Sequence, residues 1–524
     1  MLLHFVNFHS LPTAETFSTP YEGARFSPRA PPSTKLKNCN PVSPHSYRHI
    51  FKYTSLFGFV QALYVLLSVV RNKLTAVLIG AAGMGLADLY ARSIELLGNL
   101  TNFGLGVSAV KRLSQLRSEG ESLKRLHGHI RLIRTWVLLT ALFGAAVTLV
   151  LSPLVSVLSQ GTAALFYRYC WLAPGVFFTT LAGGEMAILK ATRQLKALAL
   201  ASAGGAVTTL VLALAFYPTL GIEGVLPVLV GTTLLTFVLH HAMLRGKAPY
   251  HVGPFNRRFL RTGIPMIQLG LAYIMAGVMT SGAELLVRTV LMRQPGGLAN
   301  VGYYTAGFTL TVSYARMIFV AMDADYFPRL SAAVANQREM NLLINRQINM
   351  LVVLMAPFLI LFALCLPLLI HILYTRDFLV VVPMVLAAVS YMYFKAIYTP
   401  IAYIPLAKGD SVIYMLLELA YDVVFALLVV GGFLWQGLLG AGIALSLANL
   451  ADLALIAVFC SHHYGYRINR TTLRRCVMLF LFLLLGLCVA TQPSVVLRAT
   501  LGTGLMLMVV PFAWPILKQV LKRR

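Results

Sequence analysis

Apolar stretches of about 20 residues recur from residue 54 to the end of the chain, and short polar connections separate them. A helix of that length spans the hydrocarbon core of a bilayer, which is roughly 30 Å thick. The stretches are continuously apolar, whereas strands of a membrane β-barrel alternate apolar and polar positions. The pattern therefore predicts an all-α polytopic membrane protein. The fourteen predicted transmembrane helices are 54–80, 85–110, 135–158, 169–189, 197–217, 222–244, 264–290, 301–327, 348–373, 379–405, 411–434, 437–461, 476–493 and 499–517.

Lysine and arginine residues concentrate in alternate connections between these spans. Of the 43, 33 lie in the N-terminal segment, the even-numbered connections and the C-terminal tail, and only four lie in the odd-numbered connections. Basic residues of short loops remain on the cytoplasmic side of a membrane, so both termini are predicted to be cytoplasmic. This topology, with attraction to anionic membrane lipids, accounts for the net charge of +26, and we predict no nucleic-acid partner.

Composition and motifs argue against an enzyme. Charged residues make up 11% of the chain and hydrophobic residues 58%, whereas soluble domains carry about 25% charged residues. The six cysteines form no CxxC pair, and the sequence contains no phosphate-binding loop, nucleophile motif or metal-ligand spacing. The odd-numbered connections are too short for an outer domain, since residues 435–437 nearly suffice for one. We therefore predict no enzymatic activity, no metal and no cofactor.

An internal repeat emerges when the chain is shifted by 217 residues. Each copy contains a span, a glycine-containing turn, a second span and a basic loop. Six spans lie within one repeat, so the two copies have the same orientation and are related by an axis along the membrane normal. The shift superposes Arg71 on Arg288, Gly85 on Gly302, and the Arg-Leu-Ser tripeptide at 112–114 on that at 329–331.

The predicted organisation follows from this repeat. The first 45 residues are rich in proline, serine and threonine, which predicts a disordered extension. The predicted parts are the extension at 1–45, an N-lobe of helices 1–6 at 46–245, a basic cytoplasmic linker at 246–263, a C-lobe of helices 7–12 at 264–465, and helices 13–14 with a basic tail at 466–524.

Six basic residues lie inside the predicted spans, where a charge costs about 2.5–3.5 kcal/mol on insertion scales. Helical spacing can pair one of them with Glu95 and another with Glu284, three and four residues away. The other four have no acid on their own helix and require water, a partner elsewhere or an anionic cargo. The six are Arg71, Lys73, Arg92, Arg288, Arg316 and Lys395, of which Arg92 and Arg288 have the neighbouring acids.

Two positions are open for Arg71 and Lys73. The first span is longer than the bilayer core, so it must tilt or bend. A bend would bring both side chains to mid-depth beside a cavity. A straight helix would instead let Arg71 reach the outer surface as an anchor.

Acidic residues in the spans form a second set of candidates. Glu418 and Asp422 share one helix face, and such a like-charge pair suits a proton or cation site. Glu284 and Asp452 are further candidates for ion coupling. The alternative is that all four are structural acids, hydrogen-bonded within the bundle or near its cytoplasmic rim.

The order of several segments resembles bacterial O-antigen and polysaccharide flippases of the multidrug/oligosaccharidyl-lipid/polysaccharide (MOP) exporter superfamily. The similarity covers about residues 46–520. The segments read YRHIFKYTSLFG at 47–58, VRNKLTAVLIG at 70–80, LTNFGLGVSAV at 100–110, VGYYTA at 301–306 and ADYFPRLS at 324–331.

The resemblance implies two six-helix lobes around a central cavity, two further helices and residence in the bacterial cytoplasmic membrane. In related lipid II flippases, an arginine near the end of the first helix lines the cavity and is required. Arg71 matches it, although Asn72 replaces an acidic residue there. A second cavity arginine of that group has no counterpart, since 306–308 reads Ala-Gly-Phe, and Arg316 is a candidate substitute.

The function implied is transfer of a polyprenyl-pyrophosphate-linked oligosaccharide to the outer leaflet by alternating access. The cargo would be an O-antigen, capsule or exopolysaccharide repeat unit, and glycosyltransferases or a polymerase of polysaccharide assembly are candidate partners. The predicted cavity and pyrophosphate ligands are Arg71, Lys73, Arg288, Arg316 and Lys395. Alternatives are a cation-coupled drug antiporter of the same superfamily and a membrane polysaccharide polymerase or glycosyltransferase.

Overall fold

The computed structural model describes the backbone of residues 44–118, 123–192, 194–245, 251–253, 257–313, 319 and 326–522, and its regular elements there are all helical. Residues from Tyr53 onward form one compact unit. The predicted extension at 1–45 lies almost wholly outside the described residues. The main helices are α1 Pro44–Thr101, α2 Leu105–Ser118, α3 Leu123–Gln160, α4 Phe166–Cys170, α5 Ala173–Ala191, α6 Leu195–Leu220, α7 Val225–Leu244, α8 Arg257–Met292, α9 Gly297–Phe308, α10 Gln337–Leu373, α11 Val382–Lys408, α12 Ser411–Tyr464, α13 Arg470–Ala490 and α14 Val495–Lys522.

Within the described residues, eight helical segments are long and apolar enough to cross a membrane. Some contain two predicted spans, because α1 and α12 each include a turn. The first turn is at Gly80, where φ is 65°, and the second is at Gln436 and Gly437, where φ of the glycine is 58°. Positive φ favours glycine, which explains its place at both turns. The all-helical class is confirmed, while the count of fourteen spans stays a prediction.

The turn in α12 folds the helix back on itself. A Cβ built on Gly440 would lie 1.9 Å from the carbonyl oxygen of Gly432. The two arms therefore approach too closely for any side chain at these positions, as is common between membrane helices. Such a hairpin is what the short connection at 435–437 predicts.

Two features of the backbone were not predicted from the sequence. Helix α8 begins at Arg257, inside the predicted 246–263 linker. A basic segment need not leave the helical state where it emerges from lipid, so charge alone does not define a helix end. Helix α9 ends at Phe308, and a π-helical turn at Thr309–Ser313 follows it directly.

One core cluster joins the two halves of the chain. Met84 and Leu89 of α1 belong to the same buried cluster as Val287 of α8 and Tyr304 of α9. The helix α1 after Gly80 therefore packs directly against α8 and α9, which places any polar residues on these faces between the predicted lobes.

Two tight contacts between α1 and α9 are arranged as a two-fold axis would relate them. A Cβ on Gly85 would lie 2.0 Å from the carbonyl oxygen of Leu298, and a Cβ on Gly302 would lie 1.9 Å from that of Ala81. Gly85 and Gly302 are 217 residues apart, as are Ala81 and Leu298. Reciprocal contacts between equivalent residues are the signature of a two-fold axis. They support the predicted duplication and place its axis at this crossing.

Candidate functional site

Five charged side chains meet where α1 packs against α8, next to the glycine crossing. We call them the seam cluster: Asp88, Arg92, Glu95, Glu284 and Arg288. Arg92 lies at the centre, with Nη1 2.8 Å from Glu95 Oε2 and 2.6 Å from Glu284 Oε2, and with Nε 3.5 Å from Asp88 Oδ1. Two arginines therefore face three acids across the boundary between the predicted lobes.

Arg288 is enclosed completely, with none of its surface exposed. Its Nε donates to Asp88, and its Nη1 donates to the backbone carbonyl of Glu284 at 2.8 Å. The guanidinium also lies 5.5 Å from the ring centroids of both Tyr304 and Phe308. Thus Arg288 is held by a carboxylate, a carbonyl and two aromatic rings, and it has no open side toward a cargo.

The sequence predicted part of this cluster. The pairing of Arg92 with Glu95 is confirmed, whereas Glu284 lies closer to Arg92 than to Arg288, from which it is 3.8 Å away. Asp88, the main partner of Arg288, was missed. Its spacing of four residues from Arg92 is a helical-pair signal that could have identified it.

A cavity of about 370 Å³ lies in the second half of the chain, between α8, α11 and α12. We call it the acidic cavity, because Glu284, Glu418 and Asp422 line it. Thr280 donates to Asp422 at 2.8 Å, and the Tyr398 hydroxyl donates to Glu418 at 3.1 Å. The structure therefore brings together three of the four acids predicted for ion coupling.

The fourth acid, Asp452, lies on the second arm of α12. Only 4% of its surface is exposed, and its Oδ2 has no hydrogen-bond partner among the described residues. It interacts electrostatically with Lys395, Glu418 and Asp422. All four predicted acids thus belong to one electrostatic neighbourhood.

Lys395 is the basic residue among the described residues that line the acidic cavity. Its Nζ lies 4.0 Å from the centroid of the Tyr398 ring and 5.6 Å from that of Tyr421. The sequence placed it among pyrophosphate ligands, but the structure places it among acids and aromatic rings. Arg316, another predicted ligand, lies outside the described residues.

Arg71 and Lys73 occupy the first arm of α1, before its turn at Gly80. Gly80 is the residue of α1 with non-helical φ and ψ, so the arm has no break at Arg71. Arg71 lies nine residues before the turn, or about 13 Å along the helix axis. It is partly buried, its Nη2 donates to Asn72 Oδ1 at 3.2 Å, and it lies near Tyr217 at the end of α6.

Lys73 has a different environment from Arg71. Its Nζ donates to the backbone carbonyls of His371, at 2.8 Å, and Tyr374. These carbonyls lie at the C-terminal end of α10, where intrahelical donors are lacking and a positive charge is favourable. Lys73 therefore caps a helix of the second half of the chain from a helix of the first half.

Replacing Lys73 with methionine keeps most of its apolar stem and removes the capping charge. We expect the free energy of unfolding to fall by about 1.5–3 kcal/mol, as for hydrogen bonds to charged groups. Lys73→Arg, which retains donors and charge, should lose less. Thermal unfolding of the purified protein in detergent micelles measures both, and an unchanged transition in Lys73→Met would contradict the capping role.

The first half of the chain contains its own buried ion pair and cavity. Arg134 was counted among the basic residues of the cytoplasmic connections. It is 3% exposed and forms two hydrogen bonds with Glu185, at 2.7 and 2.8 Å. A nearby cavity of about 390 Å³ is lined by glycines, threonines and the amides of Asn99 and Asn102, with Glu95 of the seam cluster. The described residues contain no group of three or more histidine, cysteine or acidic side chains arranged for a metal ion.

Comparison with solved structures gives the fold. A lipid II flippase MurJ in an inward closed conformation matches with a TM-score of 0.65 and 14% identity, over 88% of this chain and 99% of that chain. An inward-facing multidrug resistance MATE family transporter of the MOP superfamily matches with a TM-score of 0.58 and 17% identity, over 80% and 95%. A point mutant of the Vibrio cholerae MATE transporter VcmN matches with a TM-score of 0.53 and 14% identity, over 78% and 96%.

The three similar structures are one flippase and two transporters. No curated protein sequence matches the chain. A sequence profile described as polysaccharide biosynthesis protein matches residues 120–383, which is half of the chain. This match shows that the chain belongs to the polysaccharide biosynthesis protein family, and the solved structures show that its fold is the one of a lipid II flippase and of MATE family transporters.

Proposed function

We propose that this protein is a transporter that flips a polyprenyl-pyrophosphate-linked oligosaccharide from the cytoplasmic to the outer leaflet of the bacterial inner membrane by alternating access. Such a cargo is a repeat unit of O-antigen, capsule or exopolysaccharide. The proposal has both termini in the cytoplasm, in keeping with the distribution of basic residues. Membership in a polysaccharide biosynthesis family and a fold shared with a lipid II flippase support it.

The observation that carries the proposal is the unbalanced charge of Arg71. Arg92, Arg134 and Arg288 are each matched by acids at ion-pair distance. None of the described carboxylates comes within 4.0 Å of the Arg71 guanidinium, which donates to a neutral amide. A fixed cation inside a membrane span favours the binding of an anion, and a guanidinium can form bidentate hydrogen bonds with the oxygens of a pyrophosphate.

The internal repeat explains why Arg71 differs from its equivalent. Arg288 is equivalent to Arg71, and the partner of Arg288 is Asp88. The position equivalent to Asp88 is Thr305, 217 residues further on, and its hydroxyl donates to Asp88 at 2.7 Å. The acid is present in one copy of the repeat only, so it neutralises Arg288 and leaves Arg71 without a counterpart.

The test is transport by the full-length protein in proteoliposomes that contain a defined polyprenyl-pyrophosphate-linked oligosaccharide with a labelled sugar. We expect Arg71→Ala to lower the initial rate at which the label crosses the bilayer by at least about ten-fold, since one charge-assisted contact is worth 1.5–3 kcal/mol. Arg71→Lys should retain part of the rate, because lysine keeps the charge but cannot form bidentate hydrogen bonds.

Arg293→Ala is the matched control. Arg293 follows the last residue of α8, and its guanidinium donates to the backbone carbonyls of Val157 and Leu158 at 3.0 and 3.4 Å. Its replacement should leave the transport rate close to that of the wild type. A wild-type rate in Arg71→Ala would refute the role of Arg71.

A second candidate function is a cation-coupled antiporter of small molecules, and the acidic cavity is the observation that favours it. The two functions make opposite predictions for Arg71→Ala. An antiporter of cationic molecules would lose transport in Asp422→Asn and keep it in Arg71→Ala. The flippase requires Arg71, and it should show no exchange of small cations when lipid-linked cargo is absent.

A further inference from the structure

Lys395 is surrounded by acids that it does not pair with individually. None of the described carboxylates comes within 4.0 Å of its Nζ. Asp422 and Asp452 nevertheless interact with it electrostatically, and Glu418 lines the same cavity. One ammonium is therefore shared between three carboxylates instead of forming a discrete salt bridge.

Three of the helices that line the acidic cavity contribute charged groups to the arrangement. Helix α8 supplies Glu284, which is already bound to Arg92 at 2.6 Å. Helix α11 supplies Lys395 and the tyrosines beside it, and α12 supplies the three carboxylates that remain. Among the described lining residues, Lys395 is therefore the one cation available to those three acids.

The Lys395 ammonium makes the contacts that a small dissociable cation would make in this cavity. Its Nζ lies over the Tyr398 ring at 4.0 Å and near the Tyr421 ring at 5.6 Å, and aromatic faces attract cations in such positions. The Tyr398 hydroxyl in turn donates to Glu418, which links the ring to the acid cluster. A small dissociable cation among these acids would have to share this space with the ammonium.

We propose that Lys395 is a tethered counter-cation, which takes the place of a dissociable alkali cation in the acidic cavity. The cavity then binds no Na⁺, and the charge left on Glu418, Asp422 and Asp452 is balanced by protons that bind to carboxylate oxygens. In the proposed flippase, on which this step rests, the acidic cavity accordingly couples transport to protons. Lys395 sets the specificity for the coupling ion and does not contact the cargo.

The experiment measures thermal unfolding of the purified full-length protein in detergent, with NaCl exchanged for choline chloride at constant ionic strength. The wild type should unfold at the same temperature in both salts. Lys395→Ala frees the carboxylates from their counter-ion, so it should unfold at a lower temperature in choline and recover several degrees in Na⁺. Lys395→Arg retains the charge and should show no difference between the salts.

A double variant separates this effect from a general loss of packing. Adding Asp422→Asn to Lys395→Ala removes one of the acids that would hold Na⁺, so the sodium-dependent recovery should disappear. Recovery of equal size in the double variant, or no recovery in Lys395→Ala, would overturn the proposal.

Equilibrium binding of radioactive ²²Na⁺ to the wild type tests the same point without any Lys395 variant. We expect no saturable binding that depends on Asp422. Saturable binding that Asp422→Asn abolishes would refute the proposal even if Lys395→Ala gave no folded protein. Neither measurement uses a cargo, so a failure here is distinct from a failure of the proposed flippase, which the Arg71 variants test.

Discussion

Arg288→Ala is expected to lower the free energy of unfolding by about 3–5 kcal/mol, the usual cost of removing one partner of a buried ion pair. Arg288 is fully buried, and its removal leaves Asp88 with one arginine at 3.5 Å and one hydroxyl. The cavity left between Tyr304 and Phe308 adds to the cost. We expect little folded protein after purification and a greatly lowered unfolding temperature for the fraction that remains.

The companion variant is Asp88→Asn, which preserves shape and removes the opposing charge. It should also destabilise, because Arg288 then loses its close counter-charge and retains the backbone carbonyl of Glu284, a more distant carboxylate and two aromatic rings. Combining both changes should cost less than their sum, since the double variant leaves no uncompensated charge of this pair. Thermal unfolding of the four proteins in one detergent gives the coupling free energy.

An exposed ion pair is the matched control for this cycle. Arg168 and Glu223 are 2.7 Å apart, but 24% and 56% of their side chains are exposed. Arg168→Ala should cost no more than about 1 kcal/mol. An equal loss in Arg168→Ala and Arg288→Ala, or additive effects in the Asp88 and Arg288 cycle, would contradict the assignment of Asp88 as the partner of Arg288.

Local helix spacing accounts for the parts of the site that sequence reasoning found. Glu95 lies three residues after Arg92, and Asp422 lies four residues after Glu418, so both relations are properties of a single helix. The all-helical class could also be predicted from the sequence, because an apolar run of about 20 residues has few alternatives to a helix in a bilayer.

The parts that sequence reasoning missed depend on which helices pack together. Asp88 and Arg288 are 200 residues apart, and nothing in either helix alone identifies its partner. Lys395 has no acid at helical spacing, so its acidic surroundings appear only when α11 lies against α12. Lys73 similarly acquires its carbonyl partners from the end of α10. In each case the residue type predicted a need for a partner, and tertiary packing decided which partner it received.

Gly302→Ala is expected to destabilise the protein by about 1–3 kcal/mol or more, the range for overpacking a tight contact. The added methyl group would lie 1.9 Å from the Ala81 carbonyl oxygen, so a backbone segment must move, not a flexible side chain. Movement at this point also separates Asp88 from Thr305, which lies one helical turn beyond Gly302. The seam cluster should therefore loosen together with the helix crossing.

The direction of this effect distinguishes packing from helix propensity. Alanine is favoured over glycine in a helix by about 1 kcal/mol, so propensity alone predicts that Gly302→Ala stabilises. Gly98 provides the matched control, since it lies in α1 and a Cβ there would meet nothing within 4 Å. Gly98→Ala should raise the unfolding temperature in detergent, whereas Gly302→Ala should lower it.

The same reasoning extends to the symmetry-related position. Gly85→Ala would place a methyl group 2.0 Å from the Leu298 carbonyl oxygen, and it should destabilise to a similar degree as Gly302→Ala. The two contacts share one helix crossing, so a shift that accommodates one methyl group partly accommodates the other, and the double variant should be less destabilised than the sum. Stabilisation in either single variant would show that the two helices do not touch along this seam. Fully additive losses of stability would show that the two contacts relax independently, and not through one shared displacement of the helices about the repeat axis.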